Sequence, residues 1–176
     1  MGEQSKFAGI RRATHEDAFE ISLIGWMAWR INFTEFLPEE FVERIWDLRG
    51  REASIKRDLK AGKFILVAIG EEGKILGFAS QTAPASLEGF DAEIGALYVH
   101  PLEARSGIGT SLVFAMIAHF REEGARNVAI HTLAQNAPGC QFDEKLRGCR
   151  HQETMWEGYP GVWFAWNNIQ SMIPPK

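Results

Sequence analysis

The segment Leu97-Tyr98-Val99-His100-Pro101-Leu102-Glu103-Ala104-Arg105-Ser106-Gly107-Ile108-Gly109-Thr110-Ser111-Leu112 constrains the fold more than any other stretch of the chain. Apolar alternation up to Val99 predicts a strand, His100-Pro101 ends it, and two glycines spaced by one residue lead into an apolar-periodic run. Strand, tight turn and helix in that order place successive backbone N–H groups around one concavity. The positive end of the helix macrodipole then adds its attraction for an anion such as a phosphate. Glycine is suited to that position because a side chain would fill the concavity or strain the turn. Two other glycine-rich patterns do not fit. A dinucleotide fingerprint needs a third glycine where Leu112 stands, and a Walker turn needs Gly-Lys-Ser/Thr. Taken alone, Gly107 and Gly109 fit equally well a strand–helix junction that binds nothing.

The chain around this segment reads as an alternation of short elements. Phe7 to Arg12 is a strand. Thr14, with Glu16 and Asp17 behind it, opens a helix through Ala18, Ile21, Ile24 and Met27 that is expected to end near Trp29 or Arg30. A second helix starts at Pro38, with a break at Gly50 and helix again over 54–60. Phe64 to Ile69 is a buried strand, Glu71 to Lys74 a hairpin turn, and Ile75 to Gln81 the returning strand. After a loop from Pro84 to Asp91 come a strand Ala92–Val99, a helix Gly107–Phe120 stopped by Gly124, and a strand Val128–Leu133. A short helix over 140–146 and strands over 153–156 and 162–166 close the chain. Meander strands pair antiparallel and a strand–helix–strand crossover pairs parallel. The expected fold is therefore α/β: a mixed, mostly antiparallel central sheet flanked by helices on both faces, in a single domain spanning 1–176.

Composition narrows the function classes. Of 176 residues, 45% are hydrophobic and 24% charged, the balance of a folded domain. A net charge of −4 lacks the basic surface a nucleic-acid binder needs. No apolar run reaches membrane-spanning length, and Met1 to Lys6 form a polar start without a signal segment. Cys140 and Cys149 are not spaced as a redox or zinc pair, and the histidines show no metal spacing, so no metal is expected. These features fit a cytoplasmic protein with free cysteines.

The central segment resembles the acetyl-CoA-binding motif of the GNAT superfamily of N-acetyltransferases, which reads Val-x-Pro and then Gln/Arg-x-x-Gly-x-Gly/Ala after a strand. Val99, Pro101, Gly107 and Gly109 match. Ala104 stands at the Gln/Arg position, with Arg105 one residue later. Downstream, Asn136, Phe142, Glu144 and Leu146 are similar to the family's Asn-x-x-Ala-x-x-Phe-Tyr-Glu-x-Leu segment, with Asp143 at the tyrosine. Ile10 to Asp17 resembles the usual first strand and helix, so the likeness runs over nearly the whole chain.

The resemblance implies an enzyme that moves acetyl from acetyl-CoA to a small-molecule or peptide amine by direct attack. It implies backbone contacts to the pantetheine and acetyl oxygen from Leu97, Tyr98 and Val99, with the Val99 N–H facing the oxyanion. The phosphates would lie on Ala104, Arg105, Ser106, Gly107, Ile108, Gly109 and Thr110, with Asn136 and Phe142 completing the cosubstrate site. An ammonium must lose its proton before it attacks. Glu93 stands where the histone-acetyltransferase branch carries a general-base glutamate, and alternation puts it on the face of Val99. The other reading of Glu93 is a solvated strand-face carboxylate. The family's tyrosine protonates the leaving thiolate; an ionised Asp143 cannot, and Tyr159 is a substitute donor whose other reading is a loop anchor. Trp29 and Phe33, with Trp26 and Phe36, are candidates to line the acceptor site or simply core. The family pattern and Trp156, Trp163 and Trp166 suggest a homodimer. Two alternatives stay open: a catalytically weak acyl-CoA sensor, motivated by Ala104 and Asp143, and a transferase of a longer acyl group.

Overall fold

The computed structural model describes residues 7–174; Met1 to Lys6, read above as lacking a signal segment, lie outside them. The elements are β1 (Phe7–Arg12), α1 (Ala18–Phe33), α2 (Glu39–Ile45), α3 (Leu48–Lys60), β2 (Ile65–Gly70), β3 (Ile75–Thr82), β4 (Ala92–Val99), α4 (Ile108–Glu122), β5 (Val128–Leu133), α5 (Ala137–Lys145), β6 (Cys149–Trp156) and β7 (Tyr159–Trp166). The strands follow the order β1-β2-β3-β4-β5-β7-β6 in one seven-stranded sheet. β1 with β2, β2 with β3, β5 with β7 and β6 with β7 pair antiparallel. β4 and β5 pair parallel, as the intervening helix requires. The chain divides into two compact units. One contains 1–80 and 97–115, the other 81–96 and 116–176, so β4 and α4 each contribute to both.

In the first unit, α1 packs through Ile21, Ile24, Ala28, Trp29 and Phe33, all buried. It runs to Phe33, past the expected stop at Trp29 or Arg30. The added turn places Phe33 in the core, and the Phe33 carbonyl accepts from the Leu37 N–H at 2.8 Å. Thr14 starts the helical segment: its N–H donates to Asp17 at 2.6 Å, and Arg11 holds the same carboxylate at 2.6 and 2.8 Å. That guanidinium keeps the Asp17 carboxyl below its ordinary value. Trp46, between α2 and α3, lays its ring against Gly25 of α1, where any side chain would collide, and donates to the Ser22 carbonyl at 2.9 Å. Gly50 does not break α3. Asp47 caps that helix by accepting from the Gly50 N–H at 2.5 Å, so the glycine sits in the first turn.

In the second unit, Val128 lies opposite Trp166, Ala129 opposite Ala165 and Ile130 opposite Phe164 across β5 and β7, all of them buried. α5 begins at Ala137, earlier than the expected 140, because Asn136 caps it and Pro138 fits the first turn. β6 and β7 are longer than expected. Glu157 and Gly158 both take positive φ (51° and 87°), the two-residue hairpin geometry, so Tyr159 and Pro160 belong to β7 rather than to a loop. Cys149 to Gln152, absent from the expected strand, are exposed on the edge strand β6. Trp166 is core and donates to the Leu146 carbonyl at 2.8 Å, and the Trp163 ring packs at a tilt against His131, with centroids 5.0 Å apart. Among the described residues no helix is long and apolar enough to cross a membrane.

Candidate active site

In the first unit the turn between β4 and α4 leads from the end of a strand straight into the first turn of a helix. The His100 N–H donates to the Leu76 carbonyl at 2.8 Å, which ends the strand in register. His100 Nδ1 accepts from the Leu102 N–H at 3.3 Å and opens a 3-10 turn over Pro101–Glu103. Burial lowers the imidazole's proton affinity, with the Lys74 charge adding to it, which suits a neutral acceptor. Ser106 Oγ donates back to the Glu103 carbonyl at 2.6 Å. Arg105 (φ 65°) and Gly107 (φ 89°) both take the left-handed conformation. Alternating backbone conformations of this kind turn successive N–H groups to one side, an anion-binding nest. α4 then begins at Ile108, whose side chain is buried, and the N–H groups of Ile108, Gly109 and Thr110 lie in its first turn, with no helical carbonyl ahead of them. A Cβ on Gly107 would meet nothing within 4 Å, and Ala104 to Gly107 are exposed. The turn is therefore open outward, as a phosphate-binding loop must be.

Tyr98, one residue before Val99, is anchored from below. Its hydroxyl oxygen accepts from Trp29 Nε1 at 2.8 Å, and its ring packs against Trp46 and Phe78 with centroids at 5.3 and 5.6 Å. Burial pushes the phenol up to about 12, so it stays neutral. Trp29 and Phe33, candidates for the acceptor site, are 6% and 5% exposed and stack on each other at 4.4 Å. Their placement is that of core residues supporting β4. Trp26 and Phe36 are half-buried, and Trp26 is covered by the Arg30 guanidinium at 4.9 Å.

In the second unit Glu93 is 6% exposed, which removes the reading of a solvated strand-face carboxylate. Its Oε2 accepts from the Ser86 N–H at 2.6 Å, a bond that ties the 83–91 loop to β4. Glu93 lies opposite Ala129 in the parallel register, which puts it on the sheet face of His131, two residues further along β5. The field of Glu93 partly offsets the burial that lowers the His131 imidazole. Neither Ser86 nor His131 was singled out from the sequence. A backbone donor leaves no sequence signal, and a lone histidine on a strand has no motif.

Asn136 acts locally: Oδ1 accepts from the Gly139 N–H at 3.2 Å, and Nδ2 donates to Thr132 Oγ1 at 3.0 Å. Phe142 is half-buried. Asp143 is 3% exposed, and its Oδ1 has no hydrogen-bond partner among the described residues. Burial first, and Glu144 second, push its carboxyl up to about 7. An ionised Asp143 could not donate a proton, but with its carboxyl raised this far a large fraction carries one near neutral pH. Tyr159 opens β7 opposite Trp156. No group of three or more His, Cys, Asp or Glu that could hold a metal occurs among the described residues.

The raised Asp143 carboxyl makes a stability prediction. Its folded value lies above the ordinary ~3.9, so folding takes up a proton, and stability falls as pH rises from about 4 to about 7. Asp143→Asn removes this dependence. The variant should gain on the order of 2–4 kcal/mol relative to the parent between pH 4 and pH 8. Urea melts at the two pH values test it; a stability difference that does not move with pH would contradict it.

A family model described as "Acetyltransferase (GNAT) family" matches residues 24–148. Among curated proteins, the chain is similar to YuaI of Bacillus subtilis, described as an uncharacterized N-acetyltransferase. The two are 27% identical over 128 residues, covering 72% of each chain. It is also similar to a mycothiol acetyltransferase of Thermobispora bispora, 28% identical over 141 residues, covering 78% of this chain and 46% of that one. The chain thus spans about half the length of the second relative. In fold it is similar to the PaiA N-acetyltransferase of Thermoplasma acidophilum, solved in complex with coenzyme A. That match has a TM-score of 0.72 at 19% identity, covering 90% of this chain and 97% of that one.

Proposed function

The chain belongs to the GNAT acetyltransferase family, and from that premise we propose that it is an N-acetyltransferase whose acceptor is a primary amine of a small molecule or peptide, with Glu93 as general base. The observation that carries the reading is the open turn after β4, with left-handed Arg105 and Gly107 leading into the first turn of α4. It fits the pyrophosphate of acetyl-CoA, for which the backbone N–H groups of 105–110 are the donors.

The residues divide the chemistry as follows. The acceptor ammonium gives a proton to Glu93, directly or through a water, and its freed lone pair attacks the thioester carbonyl carbon. The Val99 N–H donates to the carbonyl oxygen as negative charge grows there. The C–N bond forms, the C–S bond breaks, the sulfur leaves with the bonding pair, and the nitrogen, which still carries one proton more than an amide, releases it to solvent. Asp143 in its neutral form gives that thiolate a proton, a role its burial supports; Tyr159 is the other donor of the right chemistry. A second reading, an acyl-CoA sensor with little turnover, is favoured by Ala104, whose short side chain replaces a longer polar one at the mouth of the turn. Mass spectrometry after incubation with isotope-labelled acetyl-CoA and a panel of amines, with a longer acyl-CoA in parallel, separates the readings. The label should appear in an amide of the acceptor, and acetyl should transfer faster than the longer group. Tight binding with no labelled amide would favour the sensor.

A further inference from the structure

Gly77 sits in the middle of β3, buried, opposite Ala68 of β2. Its backbone does not call for glycine, since it is not among the residues with positive φ. What calls for glycine is β4. A Cβ at position 77 would lie 2.9 Å from the Tyr98 carbonyl oxygen, 3.2 Å from Val99 Cα and 3.3 Å from Ile108 Cγ2. The first distance is below any ordinary carbon–oxygen contact, and both of the nearer atoms are backbone. They cannot rotate away as the end of a flexible side chain can.

We infer that Gly77 is a positioning residue for acyl transfer, because the peptide it lets approach is the one that carries the Val99 N–H. The Tyr98 carbonyl and the Val99 N–H belong to a single planar trans unit, so pushing the oxygen tilts the hydrogen by the same angle. Neighbouring anchors leave that unit little freedom to translate. On one side the Tyr98 ring is held by Trp29, Trp46 and Phe78. On the other the His100 N–H is bonded to the Leu76 carbonyl at 2.8 Å. A methyl at 77 is therefore accommodated mainly by rotation of the peptide, which turns its donor away from the acetyl oxygen. The contact with Ile108 passes part of the same displacement to the first residue of α4.

The inference rests on the reading of the Val99 N–H as the oxyanion donor, and the test separates the two. Acetyl-CoA labelled with carbon-13 at the thioester carbonyl is bound without amine, and its carbonyl stretch is read by infrared difference spectroscopy. The unmodified protein should move the band to lower frequency. Gly77→Ala should lose most of that shift and lower kcat about 10- to 100-fold, part of the loss seen when an oxyanion donor is removed altogether. Its acetyl-CoA affinity should stay within about 3-fold, because most of the cosubstrate is held elsewhere. Gly9→Ala is the control: it is also a strand glycine, with nothing within 4 Å of the added methyl, and should change neither value. Saturating acetyl-CoA keeps a destabilised variant folded during the measurement. Gly77→Ala with the full band shift and full kcat overturns the inference while the Val99 reading stands. Acetyl-CoA bound to the unmodified protein with no shift overturns the Val99 reading and this inference together.

Discussion

Gly107→Val should abolish detectable acetyl-CoA binding in a chain that stays folded. Gly107 has φ 89°, a conformation that a β-branched residue adopts only at a cost of about 1–3 kcal/mol. Valine can escape that cost by moving to negative φ, and the nest is then lost because its N–H groups no longer converge. If valine stays in place, its methyls occupy the space that is open above the glycine, where the pyrophosphate belongs. Either outcome removes two or more hydrogen bonds to charged oxygens, each worth about 1.5–3 kcal/mol. The expected loss is on the order of 10²- to 10⁴-fold in affinity. The core should tolerate the change, because position 107 is exposed and its would-be Cβ meets nothing. Calorimetric titration decides the matter, with circular dichroism as the check on folding. A folded variant with unchanged affinity would mean that the glycine merely shapes the strand–helix junction.

Glu93→Gln should lower turnover by roughly 10²- to 10⁴-fold while leaving acetyl-CoA affinity nearly unchanged. The hydrogen bond from the Ser86 N–H sharpens this experiment. Glutamine keeps a carbonyl oxygen that can accept from Ser86, so the 83–91 loop should stay attached to β4. What it lacks is the capacity to take a proton. Glu93→Ala removes both functions, and loss of the part-buried bond from the Ser86 N–H should lower stability by about 0.5–1.5 kcal/mol. Full turnover in Glu93→Gln together with a lowered melting point in Glu93→Ala would make Glu93 a loop anchor only. The base would then have to be sought elsewhere.

Much of this architecture can be read from residues. The alternation before Val99, the two glycines and the periodic helix after them mark β4, the turn and α4, and the crossover to Val128 requires the parallel β4–β5 pairing. The boundaries were harder where capping and packing compete with periodicity. Phe33 extends α1 because its ring has a place among Trp29 and Phe36. Asn136 starts α5 early by accepting from Gly139. Edge position hides β6, because Cys149 to Gln152 need no buried side and so show no apolar alternation.

The candidate site was legible in its backbone and less so in its side chains. In the proposed reaction Gly107 and Val99 would act through N–H groups whose direction follows from element order. Burial decides the chemistry of the acids, and burial is a property of the folded chain. Nothing in the spacing of Glu93 distinguishes a solvated carboxylate from one covered by the 83–91 loop and bonded to Ser86. Likewise an aspartate at a tyrosine position looks unable to donate until its surroundings are seen to hold it near neutrality. The aromatic residues of α1 show the converse: Trp29 and Phe33 suggest an acceptor site by their place in the chain, yet they support Tyr98 from within the core.

The central claim is that this chain transfers acetyl from acetyl-CoA to an amine. Its most direct test is the initial rate of coenzyme A thiol release, followed continuously with a chromogenic disulfide, across a panel of small-molecule and peptide amines. For at least one amine, the predicted rate requires both substrates, scales with protein and saturates in each, with one thiol released per amide formed. A protein that binds acetyl-CoA but releases thiol no faster with any amine than by hydrolysis alone contradicts the claim.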